Sequence, residues 1–83
     1  VATEIKMYGT SWCPDCTFAK RVFQQRGVSY EWVDISGDGE AAAYVEKINK
    51  GNRSVPTIVF PDGDVLVEPP KAVLEQKLAL FGR

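Results

Sequence analysis

The chain has two cysteines, and both fall in one segment, Trp12-Cys13-Pro14-Asp15-Cys16. Sulfur at this spacing serves either thiol–disulfide exchange or metal ligation. A structural zinc site needs four ligands, and the sequence offers no histidine and no second cysteine pair. No metal is therefore expected within one chain; a metal or iron–sulfur site shared across a dimer stays open without a positive signal. A structural disulfide is a poor reading too, because a bridge between residues so close in sequence constrains almost nothing. The pair implies a dithiol redox centre, with one sulfur attacking a disulfide and the other resolving it.

The flanking sequence predicts how those sulfurs are held. Glu4-Ile5-Lys6-Met7-Tyr8 alternates polar and apolar residues like a short strand, and Gly9-Thr10-Ser11 breaks it. Pro14 suits the first position of a helix, where its missing N–H costs nothing. Phe18, Val22 and Phe23 recur at helical spacing, with Lys20, Arg21 and Arg26 towards water, until Gly27 stops the segment. Cys13 is then expected in an exposed turn at a helix N-terminus, where unpaired N–H groups and the helix dipole favour an anion. It is the candidate nucleophile. Cys16, one turn further in and deeper, is the candidate resolving thiol. Asp15 places a carboxylate beside any anion on Cys13, which makes it a candidate for tuning the couple towards the reducing side; it also suits the first turn of any helix.

Further along, Val28–Ile35 carries the aromatic and β-branched residues of a strand, closed by Ser36-Gly37-Asp38-Gly39. Glu40–Lys50 reads as a helix with Ala41, Tyr44, Val45 and Ile48 as its apolar stripe. Thr57–Phe60 and Asp64–Val67 are strands joined by Pro61-Asp62-Gly63, a turn signal, and are expected to form an antiparallel hairpin. A last helix follows Pro69-Pro70 from about Lys71, with Val73, Leu74, Leu78 and Phe81 inward. The order β-α-β-α-β-β-α predicts an α/β domain spanning 1–83, a four-stranded mixed sheet with helices on both faces and its first two strands parallel.

Composition bounds the partners. With 83 residues, 45% apolar, 25% charged and a net charge of −1, the chain has the balance of one small globular domain. That balance gives no electrostatic case for nucleic acid or an anionic membrane. No apolar run reaches the length of a membrane span, and the N-terminus lacks the order of a signal peptide, so a cytoplasmic monomer is expected.

Cys-Pro-x-Cys after the first strand, Ser54-Val55-Pro56-Thr57 before the third and the hairpin beyond it together resemble the glutaredoxin branch of the thioredoxin fold. Tyr8-Gly9-Thr10-Ser11-Trp12-Cys13, Gly51-Asn52-Arg53-Ser54-Val55-Pro56-Thr57 and Phe60-Pro61-Asp62-Gly63 are most similar to mycoredoxins and related actinobacterial proteins. The resemblance implies a cis Pro56 beside the cysteines, with the Val55 backbone turned out to pair with a thiol ligand as an added strand would. It further implies Trp12 on the rim of the site, Pro14 in the thiol-binding region, and Arg53 as a fork for a carboxylate or sugar hydroxyl.

The implied activity is reduction of mixed disulfides between proteins and a low-molecular-weight thiol. That thiol, mycothiol or glutathione, serves as co-substrate with its own reductase, and no bound cofactor is needed. Glutathione-using members carry a lysine shortly before the first cysteine and a Gly-Gly-x-Asp segment after the hairpin; this chain has Gly9-Thr10-Ser11 and Val67-Glu68-Pro69-Pro70. Glutathione is therefore the poorer fit, and it is the resemblance to mycoredoxins that favours mycothiol. The alternatives are a dithiol donor to ribonucleotide reductase or a peroxidase, coupled to thioredoxin reductase, and an iron–sulfur carrier, to which Pro14 is a poor fit.

Overall fold

The computed structural model describes residues 4–80. Seven elements follow one another: β1 (Lys6–Gly9), α1 (Pro14–Arg26), β2 (Glu31–Asp34), α2 (Gly39–Ile48), β3 (Thr57–Val59), β4 (Val65–Val67) and α3 (Lys71–Ala79). The strands form one sheet in the order β2-β1-β3-β4. β1 runs parallel to β2 and antiparallel to β3, and β3–β4 is the expected hairpin.

Because β1 is paired on both edges, its alternating side chains feed two cores. Ile5 and Met7 join Ile58 and Phe60 under Ala19, Val22 and Phe23 of α1 and Leu74 and Leu78 of α3. Tyr8 points the other way, to Ile35 and to Ala41, Ala42 and Val45 of α2. The period-two pattern of a central strand thus dictates helices on both faces.

The helix ends follow local chemistry. Pro14 opens α1, and Gly27 closes it in the left-handed region, φ 67°, with its N–H bonded to Gln24 and that of Val28 to Phe23. This double bond is a Schellman cap, and Val28 packs back onto the core that contains Phe23. Asp38 caps α2 by accepting from the N–H groups of Glu40 and Ala41, both at 3.1 Å.

Several boundaries differ from expectation. The second strand is Glu31–Asp34 and not Val28–Ile35, because Val28 is consumed in the cap of α1. The second helix ends at Ile48, where Asn49 caps it and Lys50 turns left-handed at φ 57°. Gly9 is the last residue of β1 and not a break, since it pairs with Asp34 and its carbonyl accepts from Ile35. In α3, Leu74 and Leu78 point inward but Val73 is exposed; Phe81 lies outside the described residues. Phe18 and Tyr44, expected in apolar stripes, are each 40% exposed, with the Tyr44 ring tilted against Tyr8.

Candidate active site

Cys13 is the N-cap of α1, in extended conformation at φ −86° and ψ 115°. Its sulfur occupies the place a serine or aspartate oxygen takes in an ordinary cap and accepts from the Cys16 N–H at 3.1 Å. Any negative charge on Cys13 is met there by a donor and by the positive end of the helix. Both cysteines are free thiols.

The exposed turn expected for Cys13 is corrected: only 9% of the residue is accessible. The reason is tertiary. The Val55 carbonyl, 42 residues away in sequence, stands 3.8 Å from the Cys13 sulfur. Val55 is half-buried, Pro56 is buried, and the peptide between them is cis. This loop is held from behind. Thr57, fully buried, donates its hydroxyl to the Ser54 carbonyl at 2.7 Å and accepts from the Asn49 amide at 3.1 Å.

Cys16 is 1% exposed on the inner face of α1. Burial pushes its thiol up to about 12, helped by its hydrogen bond and charge coupling with Cys13; the Thr10 backbone and the Lys20 ammonium pull the other way. The two sulfurs therefore differ in kind. One sits at the surface limit of the site on a helix N-terminus, and the other is held as a neutral thiol behind it.

Trp12, 71% exposed, forms the rim. Asp15 lies in the first turn of α1 and shares a groove of about 260 Å³ with Phe18, Pro56, Glu68 and Lys71. Arg53 is drawn to one side: its guanidinium pairs with Glu46 of α2. The structure thus gathers Cys13, Pro14, Cys16, Val55 and Pro56, places Trp12 and Asp15 on the borders, and ties Arg53 into a surface ion pair. Among the described residues no three His, Cys, Asp or Glu side chains converge as metal ligands.

Sequence reasoning missed two features. Glu68 adopts φ 46°, rare for any residue but glycine, and its N–H donates to the Pro56 carbonyl at 2.9 Å, fastening the end of β4 to the loop that faces Cys13. A turn-prone residue pair there would have signalled it; Val67-Glu68 does not. The second is Gly9. A Cβ at Gly9 would overlap the Cys16 sulfur and stand 2.8 Å from the Trp32 ring, so only glycine lets strand, sulfur and ring meet. Adjacency to the cysteine motif was its only sequence signal.

The glutaredoxin family profile matches residues 5–66. A Mycobacterium tuberculosis protein that carries a glutaredoxin name is 36% identical over 94% of this chain and 93% of its own length. Mycoredoxin 1 of Corynebacterium glutamicum is 33% identical, over 92% of this chain and 94% of its own. Among solved structures, the thioredoxin-like protein BC3987 superposes with a TM-score of 0.77 at 29% identity, covering 88% of this chain and 97% of that one. A glutaredoxin from Archaeoglobus fulgidus gives 0.71 at 28% identity, over 89% and 84%.

Proposed function

This chain belongs to the glutaredoxin family, and on that premise we propose that it reduces mixed disulfides between proteins and a low-molecular-weight thiol, with mycothiol the favoured thiol. The observation that carries the reading is the asymmetry of the two sulfurs: Cys13 accepts from the helix N-terminus while Cys16 is buried and held neutral.

In the first step the Cys13 thiolate attacks the sulfur of the small thiol in the mixed disulfide. The bond between small thiol and protein breaks, the protein thiolate leaves, and Cys13 carries the small thiol. In the monothiol route a second small thiol attacks that sulfur, releasing the oxidised small thiol and restoring Cys13. In the dithiol route Cys16 gives its proton to solvent and attacks Cys13, the small thiolate leaves, and a Cys13–Cys16 disulfide remains for a reductase or thiol. Forming the mixed disulfide removes the charge on Cys13, which is one of the causes holding the Cys16 thiol up. The second nucleophile is thus restrained until the first has reacted.

Three features support a thiol other than glutathione. No lysine precedes Cys13 in Gly9-Thr10-Ser11. The N-cap of α3 is Pro70, with no side-chain cap bond, where the Gly-Gly-x-Asp pattern would supply an acidic residue. Glu68 and Asp15 place carboxylates on the groove beside Pro56.

The test is turnover of the reduced protein on one model mixed disulfide, regenerated by mycothiol with its reductase, glutathione with its reductase, or thioredoxin reductase alone. Strong preference for mycothiol is expected. Preference for thioredoxin reductase with indifference to small thiols would replace the reading with a dithiol donor to protein disulfides.

A further inference from the structure

In the dithiol route the slow partner is Cys16, because a thiol attacks only as its thiolate and this one is buried at 1% exposure. Some group must favour that anion as it forms. The groups around it are few. On its own helix they are Cys13 and Asp15 towards the N-terminus and Lys20 one turn on; from the loop after β1 comes the Thr10 backbone; across the sheet lie Gly9 and the Trp32 ring, with Asp34 at the end of β2.

Lys20 was expected to face water. It is half-buried instead, with its Nζ 3.6 Å from the centroid of the Trp32 ring. Trp32 pairs with Met7 of β1, and the edge of its ring reaches the bare backbone of Gly9. The Cys16 sulfur lies against the same point, which puts sulfur and ring edge within roughly 5 Å of each other, the range of a sulfur–aromatic contact. The ammonium thus adjoins the indole and the indole edge adjoins the resolving sulfur, on residues carried by α1 and β2 beside the Gly9 end of β1. A lysine stem that would otherwise wander is fixed by the ring it lies on.

We propose that Lys20 is a positioning residue for the resolving step: held on the face of Trp32, its ammonium is the cation against which the Cys16 anion forms when Cys16 attacks the Cys13 mixed disulfide. The inference rests on the dithiol route of the proposed function. In that step the Cys16 proton passes to solvent, the Cys13–Cys16 bond forms, the bond from Cys13 to the small thiol breaks, and the small thiolate leaves. The incoming disulfide is the oxidant and the dithiol the reductant, so no other reagent is required. Asp34 draws part of the Lys20 charge, since its carboxyl is held low by hydrogen bonds from Ser36 and, to a smaller extent, by Lys20. Lys20 remains among the causes that lower the Cys16 thiol.

The experiment uses the reduced chain and the aromatic disulfide dithiobis(nitrobenzoate) in a stopped-flow spectrometer. The first coloured thiolate reports attack by Cys13, and the second reports its displacement by Cys16. Lys20→Met keeps the stem on the indole and removes the charge; Lys20→Arg keeps both. Were the loss of charge to lower the Cys16 thiolate about tenfold, the greater nucleophilicity of the more basic thiol would recover about threefold. The expected result is a second phase about threefold slower than in the parent protein, relative to the first phase, in Lys20→Met, with recovery in Lys20→Arg. Equal slowing in both variants would assign Lys20 to packing and overturn the proposal, as would an unchanged ratio of phases in Lys20→Met. A parent protein with a first phase and no second would remove the resolving role of Cys16 and this proposal together. Absence of the first phase would instead refute the oxidoreductase reading itself.

Discussion

Replacing Gly9 by alanine adds one carbon and two hydrogens, yet the geometry predicts a large effect. The new methyl would overlap the Cys16 sulfur and approach Trp32 Cη2 to 2.8 Å. Relief by moving the strand is blocked, because Tyr8 is registered with Val33 on one side and Thr57 on the other, and the Gly9 carbonyl holds the Ile35 N–H at 2.9 Å. The side chains must move instead, and overpacking of this kind costs about 1–3 kcal/mol. For a domain of this size that is a fall in Tm of about 5–20 °C. Thermal unfolding of the reduced protein, followed by circular dichroism, measures it. Cys16→Ala supplies an internal control. It removes the overlapping sulfur and leaves the indole contact, so the two substitutions together should cost less than their sum by about 1 kcal/mol. A Gly9→Ala protein within about 2 °C of the parent, or strict additivity in the double variant, would show that the approach of strand, sulfur and ring is not tight.

Four other outcomes are expected. Cys13→Ser abolishes turnover while Cys16→Ser retains the monothiol route; loss of all mixed-disulfide reduction in Cys16→Ser would remove that route. Asp15→Asn raises the redox potential by roughly 13 mV, taking about 0.6 kcal/mol for an exposed charge at about 7 Å, which equilibration against a glutathione or dithiothreitol buffer resolves. Glu68→Gly, at φ 46°, raises stability by about 0.5 kcal/mol, the left-handed penalty exceeding the entropy cost of glycine; a lower urea midpoint would mean that the Glu68 side chain makes a contact worth more. The Lys77 ammonium bonds Asp62 and Asp64, which holds the Asp62 carboxyl below its usual range and the Lys77 amine above its own. The Asp62 contribution is complete above about pH 4, the range of an unfolded carboxyl, and is lost as pH falls through the lower folded value; the Lys77 contribution is complete below about pH 10 and lost above it. Lys77→Met should therefore flatten the acid limb of a Tm–pH curve, and an unaltered limb would refute the assignment.

Local chemistry made much of this molecule readable. Pro14 and Gly27 mark the ends of α1, Pro61-Asp62-Gly63 marks the hairpin, and the element order implies the parallel β1–β2 pair; each signal acts within a few residues. The relative depth of the cysteines was also legible, because a helical turn separates a cap position from an inner face. What was not legible arises between elements. The cover over Cys13 comes from Val55, on a loop whose approach no local pattern encodes. Gly9 read as a break because the absence of a side chain looks the same whether it serves a turn or a close approach. The charge of Lys20 signals a solvent-facing side chain, whereas its apolar stem, which lets the ammonium rest on the Trp32 ring, leaves no mark in the local pattern.

The central place of β1 also sets a clock for the region around the thiols. Its ladder partners lie on both sides, Met7 with Trp32 and Ile58, Tyr8 with Val33 and Thr57. Freeing those amides means taking apart the strands that carry both cores, so their exchange with deuterated solvent should proceed only through whole-molecule opening. Thr10 and Trp12 lie outside that ladder, at the end of the strand. Protection should therefore drop abruptly from Gly9 to Trp12, so that the wall behind Cys16 is renewed on the timescale of unfolding while the rim beside Cys13 samples solvent far more often.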